Sequence, residues 1–99
     1  MNATRPDWWL WSPEPGVLLW ARLRLREDTG AEVLESSGLT VRFDDLDSGR
    51  HYLLGADYRA FDGLDAEDAA ALGFALDDLA PPDAPDGPGL VRLMTQRLR

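Results

Sequence analysis

Three carboxylates and a hydroxyl crowd one short stretch, Asp44-Asp45-Leu46-Asp47-Ser48-Gly49, and oxygen-rich clusters of that kind hold calcium. The EF-hand spacing fails, because counting from Asp45 its fifth place is Gly49 and its twelfth is Ala56. A solvated turn is expected here. His51 is the only histidine, which excludes multi-histidine metal sites and leaves one base for a Ser-His-Asp arrangement with Ser48. Read as a strand, neighbouring residues point to opposite faces, and no serine sits in a G-x-S-x-G elbow. Gly87-Pro88-Gly89 sets a proline where a phosphate loop needs backbone donors. No catalytic residue, metal or cofactor is therefore assigned, and the absence of cysteine removes disulfides and thiolate sites.

Charge and aromatic rings remain. Arg22, Arg24 and Arg26 alternate along one stretch and are expected to pair across strands with Glu32, Glu35 or Asp44, or else to hold a phosphate or carboxylate. Between Ala60 and Val91 stand eight acids and no base: Asp62, Asp65, Glu67, Asp68, then Asp77, Asp78, Asp83 and Asp86. Such a face is ordinarily just solvated; its functional alternative is recognition of a basic protein surface. The whole chain carries a net charge of −8, every base is arginine, and Asp outnumbers Glu 13 to 5. That bias suits a GC-rich genome or a high-salt habitat, and its sign disfavours free nucleic acid while favouring cationic partners. Trp8, Trp9 and Trp11 lie between Pro6, Pro13 and Pro15. Their indoles either cap an open end of the core or form an exposed platform for a peptide, a sugar or a dimer mate.

The elements that position these groups start from Val17–Arg26. Its odd positions, Val17, Leu19, Ala21, Leu23 and Leu25, are all apolar, and its even positions run Leu18, Trp20, Arg22, Arg24, Arg26. A period of two means a half-buried strand, expected to be central, with the odd face on the core; a helix would scatter the leucines. Glu27-Asp28-Thr29-Gly30 reads as a turn, Ala31–Ser36 as a short strand, and Leu39, Val41 and Phe43 as the inward face of another. Arg50–Leu54 is expected to be a fourth strand. The helix is placed from Ala66 to Leu79, with Asp65 as its N-cap and Pro81-Pro82 beyond its end. On that helix Leu72, Leu76 and Leu79 share a stripe, and Phe74, about 200° from Leu72, points away, to be packed over by the Trp arm or the C-terminal segment or else to anchor a partner. Residues 81–89 read as a Pro/Gly loop, and 90–99 as an ambiguous helix or strand.

The expected fold is α+β: a four-stranded antiparallel meander with one main helix packed on one face, a Trp-rich arm over residues 1–16 and a single compact domain over 17–99. No apolar run follows basic residues at the N-terminus and no segment nears the ~18 apolar residues of a membrane span, so a cytoplasmic location without membrane contact is expected. The leading function is a non-enzymatic acidic interaction module, an adaptor, inhibitor, DNA mimic or immunity-like factor bound to a basic protein. Trp8, Trp9, Trp11, Trp20, Phe74, Asp77, Asp78, Arg22 and Arg24 are its candidate contacts. A related reading is a homodimer joined through the arm or through Leu18 and Trp20. The alternative is a small-ligand or single-stranded nucleic-acid binder built from Arg22, Arg24, Arg26 and the tryptophans, and a small enzyme is third.

Overall fold

The register of the sheet is set by a two-residue turn. Pro15 presets its first corner and Gly16, at φ 83°, takes the second, a backbone conformation open to glycine. The turn joins β1 (Asp7–Glu14) to β2 (Val17–Leu25) with Glu14 opposite Val17 and Trp9 opposite Ala21. The computed structural model describes residues 7–25, 30–83 and 88–97; Arg26, the Glu27–Thr29 part of the expected turn and residues 84–87 of the expected loop lie outside them.

Beyond β2 the chain makes β3 (Ala31–Glu35) and β4 (Thr40–Phe43), giving an antiparallel meander in the order β4-β3-β2-β1. The four-residue β3–β4 loop closes through Gly38 at φ 91°, with its N–H on the Glu35 carbonyl at 2.8 Å. The α+β class, the antiparallel sheet and a main helix packed on it are as expected from the sequence. The strand at 17–25 is central, paired on both edges.

Four elements differ from expectation. Residues 7–14 are not an arm but a sheet strand, which Pro13 and Pro15 permit because they fall at its turn end, where the pairing is irregular between Trp11 and Glu14. There the Ser12 hydroxyl bridges, 2.9 Å from the Glu14 carbonyl and 2.8 Å from that of Val17. Residues 50–54 are not a strand but the body of α1 (Leu46–Gly55), the longest helix. Asp45 caps it, accepting the Ser48 N–H at 2.8 Å, and Leu46, Gly49 and Leu53 recur at helical spacing on its inner side. The expected helix at 66–79 stops early, as α2 (Ala66–Ala71). Gly73 at φ 93° donates to the Ala70 carbonyl and Phe74 to that of Ala69, both at 2.9 Å, which is a Schellman stop. A 3₁₀ turn at Leu76–Asp78 follows. The tail is both alternatives in sequence: α3 (Pro88–Leu93) and then a short strand, β6 (Thr95–Arg97), on Val17–Leu19 of β2. A further two-residue strand, β5 (Arg59–Ala60), pairs with Trp9 and Leu10 on the outer edge of β1.

Both faces of the sheet are covered, not one. Under α1, the odd-numbered residues Trp9, Ala21, Leu23 and Val33 pack with Leu53 and Tyr58. On the other side, Leu10, Leu18, Trp20 and Leu34 pack beneath Ala69, Phe74, Leu79, Leu90 and Met94. The face expected to be exposed beyond Leu18 is thus roofed by residues of the 61–79 segment together with Leu90, Val91 and Met94.

Candidate functional site

Antiparallel register carries β2 side chains into rows, since residues directly opposite point to the same side. One row crosses four strands as Trp8, Arg22, Leu34 and Thr40; the next crosses three as Arg24, Glu32 and Arg42. At the end of the sheet toward β4, these rows and α3 enclose an open groove of about 480 Å³. Its polar lining is Arg22, Arg24, Glu32 and Thr40. Leu34, Pro88 and Val91 supply its apolar walls, and a Cβ added to Gly38 would lie 4.0 Å from Val91 Cγ1, so the β3–β4 turn and α3 stand close at one end. Arg22 is only 6% exposed, and Arg24, half-buried, is held to Glu32 at 3.2 Å. The expected cross-strand pairing is therefore present for Arg24 with Glu32. Glu35 lies on the opposite face, where it accepts the Tyr52 hydroxyl of α1.

The second feature is the acidic roof. In the segment from Phe61 to Leu79, Ala69, Phe74 and Leu79 are buried on the sheet, with Leu64, Leu72 and Leu76 half-buried beside them. Asp62, Asp65, Glu67, Asp77 and Asp78 all face solvent. Asp68 is half-buried and lies 3.6 Å from Arg59. Asp65 and Asp68 form a reciprocal capping box at the start of α2, the Asp68 N–H donating to Asp65 Oδ1 at 2.8 Å.

The candidate contacts from the sequence divide between surface and core. Asp77 and Asp78 are exposed on the 3₁₀ turn, and Arg22 and Arg24 share the groove. Trp20 is 0% exposed, edge-on to Trp8 at 6.0 Å and to Phe61 at 5.4 Å. Trp9 is buried on the α1 side, and Trp11, half-buried, stacks tilted on Tyr58 at 5.9 Å. The tryptophans thus fall on alternate faces of β1, which no shared exposed platform can accommodate. Phe74 is also buried, because the turn at Gly73 redirects it from the projected outer side of a continuous helix into the core. Trp9, Trp20 and Phe74 are core residues, and the dimer face offered by Leu18 and Trp20 is filled by the chain's own roof.

The solvated turn expected over Asp44–Gly49 is instead the capped start of α1. Asp45 is drawn below the ordinary carboxylate range, chiefly by the Ser48 backbone N–H it accepts as the helix cap. His51 is exposed on α1. The groove members that sequence inspection missed are Leu34, Thr40, Pro88 and Val91. The register of β3 on β2 and of β4 on β3 puts the first two in the Arg22 row, and for Thr40 the signal was the Ser36-Ser37-Gly38 turn between β3 and β4.

No known protein family, no curated protein and no solved structure matches this chain. Among the described residues, no helix is long and apolar enough to cross a membrane.

Proposed function

We propose that this protein is a non-enzymatic interaction module whose acidic roof docks on a basic surface of a protein partner, as an inhibitor, adaptor or immunity-like factor would. The observation that carries this reading is the division of residues 61–79. Their apolar side chains close the core, while Asp62, Asp65, Glu67, Asp77 and Asp78 remain at the surface with no base among them. Acids fixed on a packed layer keep their spacing, and a like-signed array of that kind steers a cationic partner and discriminates against acidic ones. The net charge of −8 acts in the same direction, and the cysteine-free composition suits a cytoplasmic setting.

The test is affinity capture from native lysate with wild type beside the variant Asp62→Asn, Glu67→Gln, Asp77→Asn, Asp78→Asn, which spares the Asp65–Asp68 capping box. The expected result is a basic partner retained by wild type, lost from the variant, and released as salt is raised past a Debye length of about 8 Å. Equal capture by both proteins would refute the acidic docking surface.

A further inference from the structure

We propose that two copies of this chain pair edge to edge through β4, antiparallel, with Val41 of one opposite Val41 of the other. β4 ends the sheet, and among the described residues nothing pairs with its outer side. It holds no proline, its pairing with β3 is regular, and no charge points inward from it, so the usual guards of an edge strand are missing. The direction of its backbone follows from β3. The Glu35 N–H donates to the Leu39 carbonyl at 2.9 Å, which makes Glu35 and Leu39 a hydrogen-bonded pair in line with the β3–β4 register. Alternation along an antiparallel ladder then turns the N–H and C=O of Thr40 and Arg42 to the open side.

Side chains and charge select a second β4 as the occupant and fix its register. Setting Arg42 opposite Arg42 would put like charges face to face. Setting Thr40 opposite Thr40 would carry Phe43 past the strand onto Ser37 of the turn. Centring the pair on Val41 avoids both. Thr40 then faces Arg42 on each side of the two-fold axis, and every outward N–H and C=O of those two residues is used. Leu39 faces Phe43 in the same register, in the closer, non-hydrogen-bonded kind of pair. Leu39 is 56% exposed in the single chain, and Phe43 offers it an aromatic surface already backed by Tyr52 at 5.3 Å. Asp44 falls opposite Gly38, so no acid meets an acid. The acids of α2 stand at the other end of the sheet, where Asp68 lies 3.6 Å from Arg59 of β5, so their mutual repulsion acts from a distance.

A ladder this short gives an interface at the low end of the size range, below about 1,200 Å², so the experiment is sedimentation equilibrium of the whole chain from about 10 μM to about 1 mM. A reversible monomer–dimer equilibrium is expected, and it strengthens as salt screens the repulsion between two chains of charge −8. Thr40→Pro removes an outward N–H without touching the β3 ladder and is expected to weaken association at least about tenfold. The chain has no cysteine, so single thiols report the register. Val41→Cys stands at the two-fold axis with its Cα atoms about 4.5 Å apart, within disulfide reach. It is expected to cross-link in air at least about tenfold faster than Arg42→Cys, although residue 42 is the more exposed of the two. Should Thr40→Pro not fold, the thiol pair decides the matter. Monomer throughout that range, undiminished association of folded Thr40→Pro, or equal cross-linking of the two thiol variants would each overturn the proposal.

Discussion

At the scale of single residues, Tyr52 and Asp65 show how polar groups on this small protein act on stability. The Tyr52 hydroxyl donates to Glu35 across the α1–sheet junction, and that bond pushes its pKa up to about 12. Burial first, and then the charge of Glu35, raises Tyr58 as well. A phenol held above its unfolded value of about 10 favours the fold in its neutral form. Its contribution is whole below that value and is lost as pH climbs from about 10 through about 12. Both tyrosines of the chain are shifted the same way. An absorbance titration at alkaline pH should therefore show no tyrosinate step at the ordinary position, only a late one that coincides with loss of the far-ultraviolet dichroism. A normal step in the folded protein would contradict the Tyr52–Glu35 bond. The Asp65 carboxylate caps α2 while Asp68 reaches back to its N–H, so Asp65→Ala should lower unfolding stability by about 1 kcal/mol in urea titration, and Asp65→Asn by less. As for the candidate site, the exposure of Asp77 and Asp78 and the alternation of Arg22 and Arg24 were legible from residue type and spacing. The burial of Trp20 and Phe74 was not, because it depends on a layer from distant sequence folding over them.

Secondary elements were legible wherever one periodicity ran uninterrupted. β2, β3 and β4 carry a period of two between turn residues, and all three are found where that pattern puts them. The pattern failed where a glycine or proline had a second meaning. Gly49 reads as a loop residue, yet it sits buried inside α1 because the helix approaches the sheet there so closely that a Cβ would stand 2.6 Å from Leu23 Cδ1. Gly73 reads as a weak spot within a helix, yet at φ 93° it ends one. Pro13 and Pro15 read as strand breakers, yet Pro13 sits in the irregular last stretch of β1 and Pro15 in the turn just beyond it. The two glycines of α1 make this a matter of sign. Gly55 has open space around its Cβ position, so Gly55→Ala should raise stability by roughly 0.4–1 kcal/mol through the unfolded chain. At Gly49 the same substitution gains helix propensity but must displace the buried Leu23, and overpacking at about 1–3 kcal/mol exceeds that gain. Gly49→Ala should therefore destabilise, measured beside Gly55→Ala by thermal melting, and a stabilised Gly49→Ala would show that α1 does not press on β2.

For the molecule as a whole, the decisive fact is that one strand serves both cores and is closed by the end of the chain. β2 sends Leu18 and Trp20 under the acidic roof and Ala21 and Leu23 under α1, so neither layer can detach without exposing a face of the same backbone. On the edge of β2 that β3 pairs from Ala21 onward, residues 17–19 are paired only by β6, and between them the Trp20 N–H donates to the Met94 carbonyl at 2.8 Å. Met94 is itself fully buried among Leu18, Trp20 and Leu90 in the same cluster. Although it sits in the short link between α3 and β6, its side chain thus behaves as central core. Met94→Ala should cost about 2–5 kcal/mol, in the range for truncating a buried methionine rather than for trimming a frayed end. For a domain of this size each kcal/mol lowers the melting temperature by roughly 4–8 °C, so calorimetry should record a fall of at least about 8 °C. Because the two layers share β2, tryptophan fluorescence and far-ultraviolet dichroism should follow one coincident transition in both proteins. A loss below about 1 kcal/mol, or a split transition, would mean that the tail merely lies on the sheet and that the two cores fold apart.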